Sequence, residues 1–341
     1  MRVPDQMRKT VLFIGLTGDL PEPEWKATGY LVAVPDAVRT LNSVDSYGYS
    51  GTVTYPFTFL ATARHVAEKL EGREFALRVN RLDGSIAIIR GQADTKWWYH
   101  PTERKYIDAA LCMFFPDNYG ELDIQAIHVG WFADEETIKE ANIGAGDEVF
   151  IAGLFTKITE TAKNIPIVRI GNLAMMPGEK IPFKDGKLID AYLVESRSLG
   201  GLSGSPVFVR RTVEIEGKAY RDKFRDFPNS FVGPDEIVKV SGLGRIYFLG
   251  SMIGHWDQPT GFSFPEQEAV NMGISPMVPA EKIKEILTQP ELLDMVKKVT
   301  EEMAAKNHNS AVEDFAADDK TAPFTKEDFE AALKKASRKK T

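Results

Sequence analysis

The chain has 341 residues, 43% hydrophobic and 27% charged, so most of it should fold, and two domains are expected. With 42 basic and 49 acidic residues the net charge is −7, which offers no basic face for a nucleic acid. The single cysteine, Cys112, excludes an intrachain disulfide and fits a reducing compartment. No stretch is long enough to cross a bilayer and no cleavable leader is recognisable, so we expect a cytoplasmic protein without a membrane partner.

The first part of the chain is typical of short strands. Thr10 to Leu16 and Gly29 to Val34 are β-rich runs, and Phe75 to Arg81 and Ser85 to Gln92 alternate like a hairpin around an Asp-Gly turn. The stretch from 57 to 67 begins as an apolar strand and ends in a helical pattern. This pattern places His65 near the junction of the two elements.

A second apolar stretch, Tyr106 to Phe114, is a nearly continuous strand with one carboxylate, Asp108. A charge in a buried strand needs a partner, so this residue is a candidate for a functional or structural pair.

The second part of the chain repeats the strand pattern after a looser connection that contains a short acidic helix around Asp134 to Ala141. Polar, glycine-rich or proline-bearing turns separate its strands at short intervals, which predicts an all-β barrel or sandwich. The predicted strands are Gly146 to Gly153, Ile165 to Ile170, Leu188 to Glu195, Pro206 to Arg210, Tyr247 to Gly254 and Met272 to Ile274. After Pro279 the period changes to helical.

Ser203 lies in the glycine-rich loop Gly200 to Phe208, where small residues flank one hydroxyl. Such a turn can aim consecutive backbone N–H groups at one point and stabilise an oxyanion beside an attacking hydroxyl. Taken alone, the loop is better explained as a glycine-rich turn between strands. A serine nucleophile also needs a base and a group that orients the base, and His65 and Asp108 are candidates for these roles.

Three short motifs carry these candidates in the chain order His, Asp, Ser. They are Thr62-Ala63-Arg64-His65, Ile107-Asp108-Ala109-Ala110-Leu111 and Gly201-Leu202-Ser203-Gly204-Ser205-Pro206. The motifs and their order resemble the trypsin/chymotrypsin-like serine peptidases, in particular their disulfide-free bacterial branch. The order differs from that of α/β-hydrolases and subtilisins. The remaining histidines show no metal-ligand spacing, and no dinucleotide or P-loop fingerprint is present, so we expect no metal and no cofactor.

The resemblance implies an all-β fold of two packed six-stranded antiparallel β-barrels with C-terminal helices. The expected segments are a first barrel at 10–121 with His65 and Asp108, a connection at 122–145, a second barrel at 146–278 with Ser203, helices at 279–306, and a mobile linker with a short terminal helix at 307–341.

It also implies a serine endopeptidase that acts on protein or peptide substrates through an acyl-enzyme. Ser203 would attack, His65 would act as base and then acid, and Asp108 would orient His65. The backbone N–H groups of Gly201 and Ser203 would form the oxyanion hole. Leu202 stands where secreted members have an aspartate that pairs with a new N-terminus, so we expect activity without that switch.

The implied specificity pocket is less well defined by the sequence. Arg197 falls at the family's pocket floor, which argues against a preference for Lys or Arg. An acidic preference and a small or apolar preference both stay open, and the second is favoured. The residues expected to bound this pocket are Arg197, Ser198, Met252, Ile253, Gly254, His255 and Met272.

Two other functions fit the same residues. The chain could be a catalytically silent scaffold that still binds peptides, or a protease switched by a regulatory partner that binds the tail at 307–341.

Overall fold

The computed structural model describes residues 3–17, 23–44, 50–116, 118–155, 158, 163–196, 202–210, 214–216, 239–241, 245–254, 257–259, 269–271 and 273–302. The expected linker and terminal helix at 307–341 lie outside these residues. The chain forms two compact units, one of Met1–Ala37 with Pro56–Asp294 and one of Val38–Tyr55 with Met295–Thr341. In the second unit the described residues are strand residues 38–44 and 50–55 and helical residues 295–302.

The first half of the chain forms a sheet whose described strands pair in the order β5-β4-β1-β2-β3-β7-β6, with β8 added parallel to β2. These strands are β1 (Val11–Leu16), β2 (Glu24–Val44), β3 (Ser50–Thr62), β4 (Phe75–Asn80), β5 (Ile86–Gly91), β6 (Trp97–Tyr99), β7 (Ala110–Met113) and β8 (Ile127–His128). The expected hairpin joins β4 to β5, and Gly84 takes the left-handed φ of 86° in its turn.

The expectation of two closed six-stranded barrels is met in the second half only. In the described residues the first sheet is open, because β5 and β6 at its two ends do not pair with each other. With β6 only three residues long, little backbone is left for a closing ladder. Side chains meet instead: Phe75 of β4 and Trp97 of β6 approach to 5.9 Å between ring centroids. The sheet is therefore curled around an apolar interior without complete hydrogen-bond closure.

The second half forms a closed antiparallel barrel of six strands in the order β10-β13-β20-β17-β14-β9. These strands are β9 (Glu148–Gly153), β10 (Ile167–Met175), β13 (Tyr192–Glu195), β14 (Pro206–Arg210), β17 (Ile246–Met252) and β20 (Ile274–Pro279). Short pairs accompany it: β11 (Ile181–Pro182) with β12 (Leu188–Ile189), β15 (Glu214–Glu216) with β16 (Lys239–Ser241), and β18 (Asp257–Pro259) with β19 (Ala269–Asn271).

Alternation along the strands gives the barrel two apolar surfaces. One set of side chains forms the barrel core, whose members include Val149, Ile151, Leu173, Val194, Val207, Val209, Leu249 and Met277. The intervening aromatic residues face the other way. Phe248 of β17 packs on Tyr30 of β2 at 5.3 Å and on Phe132 at 4.8 Å between ring centroids. These pairs attach the barrel to the first sheet through apolar contact.

The described helices with assigned ends are short: α1 (Asp5–Arg8), α2 (Arg64–Leu70), α3 (Glu135–Glu140) and α4 (Ala280–Leu287), with 3-10 turns at Tyr119–Glu121, Val129–Trp131 and Lys184–Gly186. Residues 290–302 are also helical. None of the helices in the described ranges combines the length and the apolar content that crossing a bilayer requires.

Helix α4 is tied to the first half of the chain by a buried histidine. The side chain of His100 is 1% exposed, and its Nε2 lies 2.6 Å from Glu285 Oε2 on α4. Its Nδ1 accepts the Glu103 N–H at 3.0 Å, so the proton on Nε2 is the one donated to Glu285. Each ring nitrogen of His100 therefore makes a hydrogen bond within the protein.

We expect His100→Ala to lower the free energy of unfolding by about 1–3 kcal/mol, because the Glu103 N–H would lose its acceptor in a part-buried setting. Urea denaturation measures the change. His128→Ala is the matched control: its Nδ1 also accepts a backbone N–H, from Gly130, but the residue is exposed, so its cost should be smaller. Equal losses in the two variants would contradict a structural role for His100.

Candidate active site

Asp108 and His65 make two hydrogen bonds to each other. His65 Nδ1 lies 2.7 Å from Asp108 Oδ2, and the His65 backbone N–H donates to Asp108 Oδ1 at 2.9 Å. Asp108 is 5% exposed, so these donors replace the water that its carboxylate loses on burial. Arg64 Nε stands 3.9 Å from Asp108 Oδ1 and adds positive charge on the same side. The sequence placed Asp108 inside a strand from Tyr106 to Phe114, but β7 begins only at Ala110, so Asp108 lies just before the strand. The partner that its charge required is the imidazole of His65.

The same contact shapes the start of α2. The residue at its N-cap is Ala63, which has no side chain that could accept an orphan N–H of the first turn. Asp108 supplies that acceptor from a distant part of the chain. One carboxylate therefore fixes both the backbone and the ring of His65. Because Nδ1–H donates to Asp108, His65 Nε2 is left as the acceptor nitrogen.

Ser203 is held by backbone hydrogen bonds on both sides of its loop. The Thr28 N–H donates to the Ser203 carbonyl at 3.2 Å, and the Gly204 N–H donates to the Met252 carbonyl at 2.9 Å. The Ser205 N–H closes a tight turn onto the Leu202 carbonyl at 2.9 Å. In the described part of the chain the Ser203 N–H has no hydrogen-bond partner. No acceptor among the described residues therefore competes with an anion for that N–H.

Thr28 connects this loop to the end of β3, which precedes His65, and to the barrel. The Thr62 hydroxyl, at the end of β3, donates to the Thr28 carbonyl at 2.8 Å. The Leu154 N–H, just after β9, donates to the Thr28 hydroxyl at 2.9 Å. Thr28 and Thr62 are both buried, so these bonds are shielded from competing water.

Gly204 makes the close approach of the Ser203 loop possible. It has a φ of 79°, which side-chain-bearing residues rarely adopt. A Cβ on it would lie 2.3 Å from the Thr28 carbonyl oxygen and 2.4 Å from Thr62 Oγ1. Only glycine fits at this position without a shift of backbone.

His65, Asp108 and Ser203 line one cavity of about 390 Å³, together with Ile253 and Gly254. The Ser203 hydroxyl donates to the Ile253 carbonyl at 3.1 Å. Within the described residues it makes no hydrogen bond to His65. The three side chains named from the sequence therefore share a cavity, and one of the two contacts between them is made.

The other residues expected at this site divide into three groups. Ile253 and Gly254 line the cavity. The side chain of Met252 packs instead in the barrel core, in the same cluster as Leu249 and Met277. Arg197, Ser198, Gly201, His255 and Met272 lie outside the described residues.

The structure adds lining residues that sequence reasoning missed. They are Arg64 and Lys105, and, from the hairpin of β11 and β12, Phe183, Lys184, Lys187, Leu188 and Ile189. Asp185-Gly186 is a hairpin turn signal that could have been recognised. Nothing in the local sequence shows that this hairpin reaches the cavity.

Catalysis by a cysteine thiolate and catalysis by a bound metal both have little support in the described residues. Cys112 is 2% exposed, and burial raises the pKa of its thiol, so it does not supply a reactive thiolate. No group of three or more His, Cys, Asp or Glu side chains with metal-binding geometry occurs in those residues.

Similarity to known proteins was found among solved structures. No protein-family model matches the chain, and no curated protein matches it. Among solved structures that match, one is titled "Crystal structure of Deg5", with a TM-score of 0.35 and 14% sequence identity. The match covers 60% of this chain and 75% of that one. The functional assignment therefore rests on the side-chain geometry.

We expect Gly204→Ala to lower the free energy of unfolding by more than about 2 kcal/mol, since a left-handed φ alone costs about 1–2 kcal/mol. Gly72→Ala is the matched control, because Gly72 has a similar φ of 71° and nothing within 4 Å of the point that a Cβ would occupy. Chemical denaturation of both variants separates backbone strain from the steric contact with Thr28 and Thr62. Similar losses in the two variants would contradict the close approach.

Proposed function

We propose that this chain is a trypsin-like serine endopeptidase with a chymotrypsin-like arrangement of its two β-rich halves. The observation that carries the proposal is the double hydrogen bond between Asp108 and His65, beside a cavity that Ser203 also lines. A carboxylate, an imidazole and a hydroxyl with these connections are the components of nucleophilic acyl transfer.

In the proposed reaction the Ser203 hydroxyl attacks the scissile carbonyl while His65 Nε2 takes its proton. Asp108 stays ionised, holds the tautomer with its proton on Nδ1 and stabilises the imidazolium that forms. The proton then passes from His65 to the leaving amine, and a water activated by His65 hydrolyses the acyl-enzyme. The Ser203 N–H, unpartnered among the described residues, supports a role in stabilising the oxyanion; Gly201, proposed as the second donor, lies outside them.

One side-chain movement precedes the attack. The Ser203 hydroxyl now donates to the Ile253 carbonyl, so this hydrogen bond has to break before the proton can pass to His65. Hydrogen bonds between catalytic groups are often long or misaligned before substrate binds, and a rotamer change needs no backbone movement.

Leu202 supports activity without proteolytic activation. It is 1% exposed and precedes the proposed nucleophile directly. An apolar side chain in this position cannot form an ion pair with a newly released N-terminus. We therefore propose that the folded chain is competent as it is.

A peptide-binding scaffold is the second candidate, and the Ser203–Ile253 hydrogen bond favours it. If that bond persists with peptide present, the hydroxyl is never delivered to His65. Reaction with a fluorophosphonate probe distinguishes the two functions, because such a probe labels only an activated serine.

We expect the wild-type chain to be labelled by the probe and Ser203→Ala to remain unlabelled. Ser205→Ala is the matched control: Ser205 is buried two residues away and its hydroxyl has no hydrogen-bond partner in the described residues, so labelling should persist. In-gel fluorescence or intact-mass analysis measures the adduct. A wild-type chain that binds peptide and is never labelled would favour the scaffold.

We expect Asp108→Asn to reduce kcat for peptide hydrolysis by about 10⁴-fold, because an amide no longer favours the required His65 tautomer. Asp94→Asn, at an exposed aspartate, should leave kcat unchanged. Circular dichroism checks that both variants fold. A folded Asp108→Asn variant with near-normal kcat would exclude Asp108 from the reaction.

A further inference from the structure

The cavity beside Ser203 carries a concentration of positive charge. Its lining includes Arg64, Lys105, Lys184 and Lys187, and the only carboxylate among the described lining residues, Asp108, is engaged with His65. The chain as a whole has the opposite sign, with a net charge of −7. The basic lining is therefore a local feature of this site.

Two of these cations are not neutralised by the described part of the protein. In those residues neither Lys105 nor Lys187 has a carboxylate within ion-pair distance of its ammonium group. Nearby lysines outside the cavity differ: Lys180 pairs with Glu103 at 2.8 Å, and Lys282 pairs with the same carboxylate at 3.4 Å. Arg64 is also partly satisfied, through Glu68 at 3.1 Å. Positive charge available to a ligand is thus concentrated on the two lysines.

The basic lining continues into a neighbouring hollow. A second hollow of about 420 Å³ shares Arg64, Lys105, Lys187 and Leu188 with the first and extends along Tyr106. A peptide lying in both hollows would pass the two lysines on its way to Ser203.

Apolar groups stand beside these charges. Phe183, Leu188 and Ile189 come from the same hairpin as Lys187. They can cover the methylene groups of a side chain whose carboxylate meets a lysine. This combination suits aspartate and glutamate, since a recessed site lined by one sign of charge attracts the opposite sign.

We infer, resting on the proposed function, that the site selects peptides with Asp or Glu side chains next to the scissile bond. Lys105 and Lys187 are the specificity-determining residues. The assignment differs from the small or apolar preference that the sequence favoured, and it concerns residues outside the pocket predicted there.

The test compares peptides that differ only in Glu or Gln at single positions around one bond. Affinity is measured by fluorescence anisotropy on the Ser203→Ala chain, so that binding is followed without turnover. We expect a Glu peptide to bind about fivefold more tightly than its Gln counterpart, as one exposed charge pair allows. The preference should fall when ionic strength rises from about 0.01 M to about 0.15 M, where the Debye length shortens from about 30 Å to about 8 Å.

Adding Lys105→Gln and Lys187→Gln to this chain should reduce the preference to less than about twofold, because the two positive charges that no described carboxylate pairs with are then removed. Lys139→Gln with Lys298→Gln is the matched control, since both are exposed lysines of helices outside the cavity and the net charge changes equally. The control should keep the preference.

Equal affinities for the Glu and Gln peptides, or a preference that survives loss of Lys105 and Lys187, would overturn the inference. Hydrolysis of the same peptides by the wild-type chain is measured separately. A charge preference in binding without any hydrolysis would support the inference and count against the peptidase proposal alone.

Discussion

The site depends on the way in which one buried carboxylate, Asp108, is satisfied. Burial makes an unpaired charge costly, and two donors from His65 offset that cost. One of these donors belongs to the first turn of α2, whose N-cap, Ala63, offers no side-chain acceptor. The helix start, the ring orientation and the ring tautomer therefore follow from a single charge. Local helix geometry and proposed chemistry cannot be varied independently here.

A second constraint joins the two halves of the molecule at Thr28. Its N–H, carbonyl and hydroxyl each contact a different element: the Ser203 loop, the end of β3 at Thr62, and the residue after β9, Leu154. Gly204 lets the loop come close enough for the first of these bonds. The aromatic contact between Tyr30 and Phe248 adds buried apolar surface between the same two halves. The distance between His65 and Ser203 is thus set by packing of the two halves.

From the sequence, His65, Asp108 and Ser203 were proposed together because their motifs and chain order resemble one peptidase family. Each motif taken alone has an ordinary structural explanation. The open first sheet was not predictable, since it depends on how much of β6 pairs. Lys105 and Lys187 were missed because exposed lysines in turns are common and only tertiary structure brings these two together. The segment bounds, the cytoplasmic location and the role of 307–341 stay predictions.

The hydrogen bond from Ser203 to the Ile253 carbonyl would affect how reactive the serine is when no substrate is bound. If the competent rotamer is the minor one at rest, apparent reactivity toward any small electrophile is scaled down by its population. A ligand that occupies the Ile253 carbonyl removes the competing acceptor and raises that population. Turnover would then accelerate with engagement of an extended chain. If binding at the Ile253 carbonyl activates Ser203 in this way, esters and amides that are too small to reach that carbonyl would be hydrolysed slowly.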